Sequence, residues 1–150
     1  MNLCRAVWLA FPCTVLMTPV VGAQGDRWQR QVRAQLGRAA ATLDPGARRK
    51  PVTTRVGVLN AAESDSLILT LHAGIAYVVV ATCDEDCSGL TLRLADLKSH
   101  ELAANRGSDH APVLRLTPAE TAAYRVRVVM EACQMNPCRY GIAFINPPTP

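Results

Sequence analysis

From Val52 to Ile145 the apolar residues recur at every second position in short runs, a period that constrains the chain to β-strands. Leu90, Leu92 and Leu94 alternate with Thr91 and Arg93, and Tyr124, Val126 and Val128 alternate with Arg125 and Arg127. Successive side chains of a strand point to opposite faces, so each run turns one face to a core and the other to water. The pattern predicts strands over Val52–Leu59, Ser66–Leu71, Ile75–Cys83, Leu90–Ala95, Glu101–Ala104, Val113–Thr117, Ala123–Cys133 and Arg139–Ile145. Turn chemistry separates them at Ala73-Gly74, Asn105-Arg106-Gly107, Thr117-Pro118 and Asn136-Pro137. Short strands at this spacing predict a mainly β fold, a jelly-roll-like antiparallel β-sandwich of about eight strands over residues 52–146, rather than βαβ units.

Upstream the period changes to that of a helix. Trp28, Val32, Leu36, Ala39, Ala40 and Leu43 fall within about 120° of one another at roughly 100° per residue, which predicts an amphipathic helix over Asp26–Leu43. Asp26 suits its N-terminus, and Asp44-Pro45-Gly46 ends it. Arg27, Arg30, Arg33 and Arg38 lie outside the apolar arc, and Arg48-Arg49-Lys50 continue the positive charge into a linker ending at residue 51. Residues 24–55 carry a net +6, whereas the chain from Val56 onward carries a net −3. The helix is therefore matched either to its own β domain or to an anionic surface such as lipid headgroups or an acidic glycan.

Residues 1–23 have the layout of a secretory leader: Arg5, an uncharged and mostly apolar stretch from Ala6 to Val21, then Val21-Gly22-Ala23 with small residues placed for cleavage before Gln24. Pro12 and Pro19 interrupt the apolar stretch, which is short for a membrane span. The expected destination is periplasmic or extracellular. Cleavage would remove Cys4 and Cys13 and leave Cys83, Cys87, Cys133 and Cys138 in an oxidising compartment. Four cysteines allow three pairings. The local bridges Cys83–Cys87 and Cys133–Cys138, each at the mouth of a hairpin, are the expected pair, with crossed pairing and a four-cysteine zinc site as the alternatives.

Other chemistry has little to build on. Asp84, Glu85 and Asp86, with Asp96 and Asp109, could begin a calcium site, set against a solvated loop tip; no cofactor is otherwise expected. His72, His100 and His110 fall in or beside predicted loops with no visible partnership to a nucleophile, and no G-x-S-x-G or H-E-x-x-H is present. A net-acidic β domain with 5% aromatics overall does not fit nucleic-acid binding.

The order of several motifs resembles a known family. Ala73-Gly74-x-x-Tyr77 leads to Cys83-Asp84-Glu85-Asp86-Cys87 and Leu90-x-Leu92-x-Leu94-x-Asp96. Asp109-x-x-Pro112-x-Leu114, Tyr124-x-Val126-x-Val128-x-Met130, Cys133 and Cys138-x-Tyr140-Gly141 follow. Over residues 52–146 this resembles the bacterial pre-peptidase C-terminal domain, in a stand-alone, cysteine-bearing variety carried by exported proteins. The resemblance implies a jelly-roll sandwich serving as a non-catalytic accessory module. Ser88-Gly89-Leu90-Thr91 stands where relatives alternate acids with leucines, and Asp96-Leu97-Lys98-Ser99 replaces an Asp-x-x-Gly turn.

The sequence thus predicts an exported, non-catalytic binding module, expected to be a monomer, with a Pro-rich tail at residues 147–150. Its expected partner is a protein or an envelope polymer; the alternatives are a structural envelope protein held at an anionic surface by the Arg-bearing helix and a calcium-binding module. Intact mass without reductant should place the mature N-terminus at Gln24 and lie about 4 Da below the fully reduced value, as two disulfides require. Four free thiols with a retained zinc or calcium ion would overturn that reading.

Overall fold

The computed structural model describes residues 23–43, 53–107 and 109–145. The expected leader, linker and Pro-rich tail lie outside them, apart from Ala23. The described residues form helix α1 (Ala23–Leu43) and strands β1 (Thr53–Leu59), β2 (Ser64–Leu71), β3 (Tyr77–Cys83), β4 (Cys87–Asp96), β5 (Glu101–Asn105), β6 (Val113–Leu116), β7 (Ala122–Cys133) and β8 (Cys138–Ile145). Each predicted strand is present, with ends that move by up to three residues. The helix begins three residues before Asp26, which therefore falls within its first turn rather than at its start.

Two four-stranded sheets face each other, in the orders β1-β8-β3-β6 and β2-β7-β4-β5, with antiparallel neighbours. This is the strand order of a jelly roll. Every connection between consecutive strands crosses from one sheet to the other except β4–β5, which stay neighbours. The core lies between the sheets, where Leu90, Leu92, Leu94, Val126, Val128 and Met130 meet Val79, Ala81, Tyr140, Ile142 and Phe144.

Both disulfides are local, Cys83–Cys87 and Cys133–Cys138, with Cα separations of 5.9 and 5.8 Å. Their setting differs from the expected hairpin mouths. β3 and β4 belong to different sheets, as do β7 and β8, so each bridge pins a corner where the chain changes sheet. Apolar period alone cannot separate these cases, because a corner and a hairpin have the same sequence signature. Cys87 also pairs with Cys133 in the β4–β7 ladder, so the two bridges adjoin. The Gln134 N–H donates to the Asp86 carbonyl (2.8 Å) and the Ala61 N–H to Asn136 Oδ1 (3.0 Å), lacing the corner loops together. Each bridge stabilises by about 2 kcal/mol in the chain-entropy account, because the loops it closes are short.

The helix covers the outer surface of the first sheet. Val32 and Leu36 are buried, packing with Ala39, Ala40 and Leu43 toward Val78, Val80, Ala143 and Ile145. Gly141 makes this approach possible: a Cβ there would sit 2.7 Å from Val32 Cγ1. Half-buried Trp28 lies beneath Arg139 of β8, with the guanidinium 5.8 Å from the ring centroid.

A polar contact joins the two sheets at the edge formed by β1 and β2. Tyr140 of β8, fully buried, donates its hydroxyl to Asp65 Oδ2 of β2, and Arg55 of β1 pairs with the same oxygen at 2.8 Å. Gly57, directly opposite Tyr140, leaves room for the ring, since a Cβ there would lie 2.7 Å from it. Burial works to raise the Asp65 pKa, but hydrogen bonds from Tyr140 and the Ser66 N–H, with the Arg55 charge, hold it below the usual carboxylate range. Burial, joined by the bond to Asp65, pushes the Tyr140 pKa up to about 12.

Gly141→Ala should cost about 1–3 kcal/mol in thermal or denaturant unfolding, with Trp28 fluorescence shifting to the red as the helix lifts. Val32→Ala should recover part of that loss in a double-mutant cycle. For Tyr140, the folded pKa lies above the unfolded value of about 10, so its contribution is complete below pH 10 and is lost as pH rises toward 12. The extra loss should be on the order of 2 kcal/mol at the alkaline end and absent from Tyr140→Phe. The lowered Asp65 pKa acts in the opposite direction: its contribution holds above about pH 4 and is lost as acid protonates it.

Candidate functional site

The two outer faces of the sandwich differ. The first sheet is sealed by α1, while the second, β2-β7-β4-β5, carries no element packed on its outer surface among the described residues. Its outward positions follow from the alternation: Tyr124, Val126 and Val128 of β7 are buried, so Arg125 and Arg127 face out, as Arg93 does between buried Leu92 and Leu94 of β4.

Register then brings these cations together. Arg93 stands directly opposite Arg127, and Arg125 stands opposite Ala95. On the other side of β7, Ser66 and Ile68 of β2 flank Arg127 and Arg125. Arg93, Arg125 and Arg127, with Ala95, Ser99 and Glu101, line a shallow depression of about 150 Å³. Ser99, in the turn after β4, has φ 72° and its N–H donates to the Asp96 carbonyl; its hydroxyl accepts a long contact of 3.4 Å from Arg125 Nη1. Glu101 is paired with Arg106. Among the described residues, no carboxylate lies within salt-bridge distance of Arg93, Arg125 or Arg127. Arg93 is only partly exposed, and its Nε is buried with no hydrogen-bond partner among those residues.

A larger opening of about 540 Å³ lies between the edge strands β5 and β6. Its walls combine the core residues Leu94 and Tyr124 with Asp96, Arg115 and Glu120, and it lies where the two sheets part.

The residues singled out from sequence are dispersed. Arg27, Arg30, Arg33 and Arg38 are exposed on α1, on the far side of the sandwich from the depression, and Arg27 lies over the Trp28 ring at 5.7 Å. Asp84, expected at a loop tip, is 3% exposed. Its Oδ2 accepts the Arg139 N–H at 2.7 Å, and the Asp84 N–H donates to the Arg139 carbonyl at 3.0 Å, extending the β3–β8 ladder by one pair. Its Oδ1 is buried without a partner, and burial raises its pKa. Glu85 is exposed and Asp86 half-buried. Asp96 pairs with His100 at 2.8 Å in the β4–β5 turn, and exposed Asp109 lies in the loop before β6. No three His, Cys, Asp or Glu side chains converge as a metal site among the described residues. His72, His100 and His110 are all exposed.

The arginine cluster was not visible as a site in the sequence. The alternation places Arg93, Arg125 and Arg127 on outward faces, but only the β4–β7 register makes them neighbours.

No family model matches the chain, and no curated protein does. Among solved structures it is similar to the crystal structure of Aeromonas hydrophila PliG, a periplasmic lysozyme inhibitor of g-type lysozyme. The two share 15% identity at a TM-score of 0.48, over 67% of this chain and 90% of that one. The architecture above stands on its own strand order, and no partner or activity is taken from that likeness.

Proposed function

We propose that this protein is an exported, non-catalytic binding module that contacts an anionic component of the cell envelope with the outer face of β2-β7-β4-β5. The observation that carries the reading is the pairing of Arg93 with Arg127, beside Arg125, on the sandwich face that α1 leaves uncovered. Like charges directly opposite on a sheet are destabilising, and among the described residues no carboxylate forms an ion pair with them. A surface that bears such a cost is suited to an external partner that removes it. Export is part of the proposal: it is supported by the leader pattern of residues 1–23 and by two disulfides, which persist in oxidising compartments. The jelly-roll order is in keeping with the pre-peptidase C-terminal resemblance and its accessory role.

The competing assignment puts the contact on the helix, through Arg27, Arg30, Arg33 and Arg38. That helix already spends its apolar stripe on the first sheet, which leaves little to insert into a membrane surface. Co-sedimentation with envelope fragments at low ionic strength separates the two. The wild-type protein should sediment with the envelope and be released near 1 M salt, where the Debye length falls to about 3 Å. Arg125→Glu/Arg127→Glu should abolish sedimentation, while Arg30→Glu/Arg33→Glu should retain most of it. The reverse pattern would move the function to the helix, and a wild-type protein that never sediments would remove the reading altogether.

A further inference from the structure

We infer that the depression between β4, β5 and β7 is a binding site for a single phosphate-type oxyanion, held by Arg93, Arg125 and Arg127. This deepens the proposed function, since it names what the open face would recognise.

The first support is geometric. Residues directly opposite in an antiparallel pair have Cβ atoms about 4.5–5.5 Å apart, and diagonal neighbours are at roughly 7–8 Å. Arg93 and Arg127 are such a direct pair, with Arg125 on the diagonal from Arg93, so three guanidinium groups arise from one small patch. All three line the same depression.

The second support is that these cations have no anionic partner within the fold. Among the described residues no carboxylate pairs with Arg93, Arg125 or Arg127, and because Arg93 Nε is itself buried, an anion would meet that side chain at its terminal nitrogens. Glu101, the one carboxylate on the rim, is engaged by Arg106. Ser99, whose hydroxyl lies 3.4 Å from Arg125 Nη1, adds a neutral group that can donate its proton to an anion.

Size and charge select the ligand class. A volume of about 150 Å³ suits one compact group rather than a sugar ring with its neighbours. Guanidinium forks match the paired oxygens of carboxylates and phosphates. One carboxylate brings two oxygens and one charge to three cations, whereas a phosphate-type group offers more oxygens and up to two charges, so it satisfies the cluster more fully. The same chemistry is available from free phosphate and from a phosphomonoester headgroup such as that of phosphatidic acid.

The test uses the oxidised protein with inorganic phosphate, titrated by calorimetry at constant ionic strength against chloride, and with vesicles containing phosphatidic acid against phosphatidylcholine vesicles by co-sedimentation. Saturable phosphate binding, weakened about tenfold or more in Arg127→Gln and in Arg125→Gln but unchanged in Arg115→Gln on β6, would support the site with a free ion as its ligand. Binding to phosphatidic acid vesicles with the same variant pattern would support it with a headgroup as its ligand. No saturable phosphate or anionic-vesicle binding, or an Arg127→Gln protein that binds like wild type, would overturn it. Folding is checked independently: without phosphate, Arg127→Gln should melt no lower than wild type, because it relieves the opposition with Arg93, and a clear drop would count against the proposal. The two readings also fail separately. Envelope sedimentation that depends on Arg125 and Arg127 without phosphate binding leaves the open face and removes this site; phosphate binding without such dependence does the reverse.

Discussion

The packing of Val32 into the space above Gly141 sets the character of the whole molecule. Once α1 lies on the first sheet, β3 and β8 are covered on both sides, and their sequences, Tyr77-Val78-Val79-Val80-Ala81 and Gly141-Ile142-Ala143-Phe144-Ile145, are accordingly apolar almost without interruption. The second sheet has no element on its outer face among the described residues, and Leu92-Arg93-Leu94 of β4 and Tyr124-Arg125-Val126-Arg127-Val128 of β7 alternate, although outward Thr91 is also buried. One contact between a valine and a glycine thus divides the sandwich into a sealed side and a side available to partners.

Much of this was legible in the chain. The helix stripe and the strand alternation depend on local periodicity, and both are where the pattern put them. What escaped were features that depend on register or on which sheet a strand joins. The cysteine spacings fit a hairpin as well as a corner. Asp65 and Tyr140 are 75 residues apart, and nothing local marks them as partners. Asp84 carries the loop-tip composition of its neighbours Glu85 and Asp86, yet it is drawn inward because its carboxylate accepts the Arg139 N–H. The arginine cluster was half legible: the faces of its members could be read, while their adjacency required the β4–β7 ladder.

Bulk charge is a poor guide to such a surface. From Val56 onward the chain is net acidic, but Asp84 is buried, Asp65 is committed to Tyr140 and Arg55, Asp96 to His100 and Glu101 to Arg106. Acids drawn into internal contacts leave a cationic patch on a domain whose total charge has the other sign. Local stability and recognition are opposed there, because the same like-charge contact that weakens the empty fold gives an anion something to neutralise.

The first and last strands of the sandwich are hydrogen-bonded neighbours, with Thr53 opposite Phe144, and this has a consequence for how such a unit is deployed. The polypeptide enters and leaves the sandwich side by side, at the end away from both disulfides, since Leu59 at the other end of β1 pairs with Cys138. Both chain connections of the sandwich are thus held at one end, so neither has to pass the stapled corners or cross the open face of β2-β7-β4-β5.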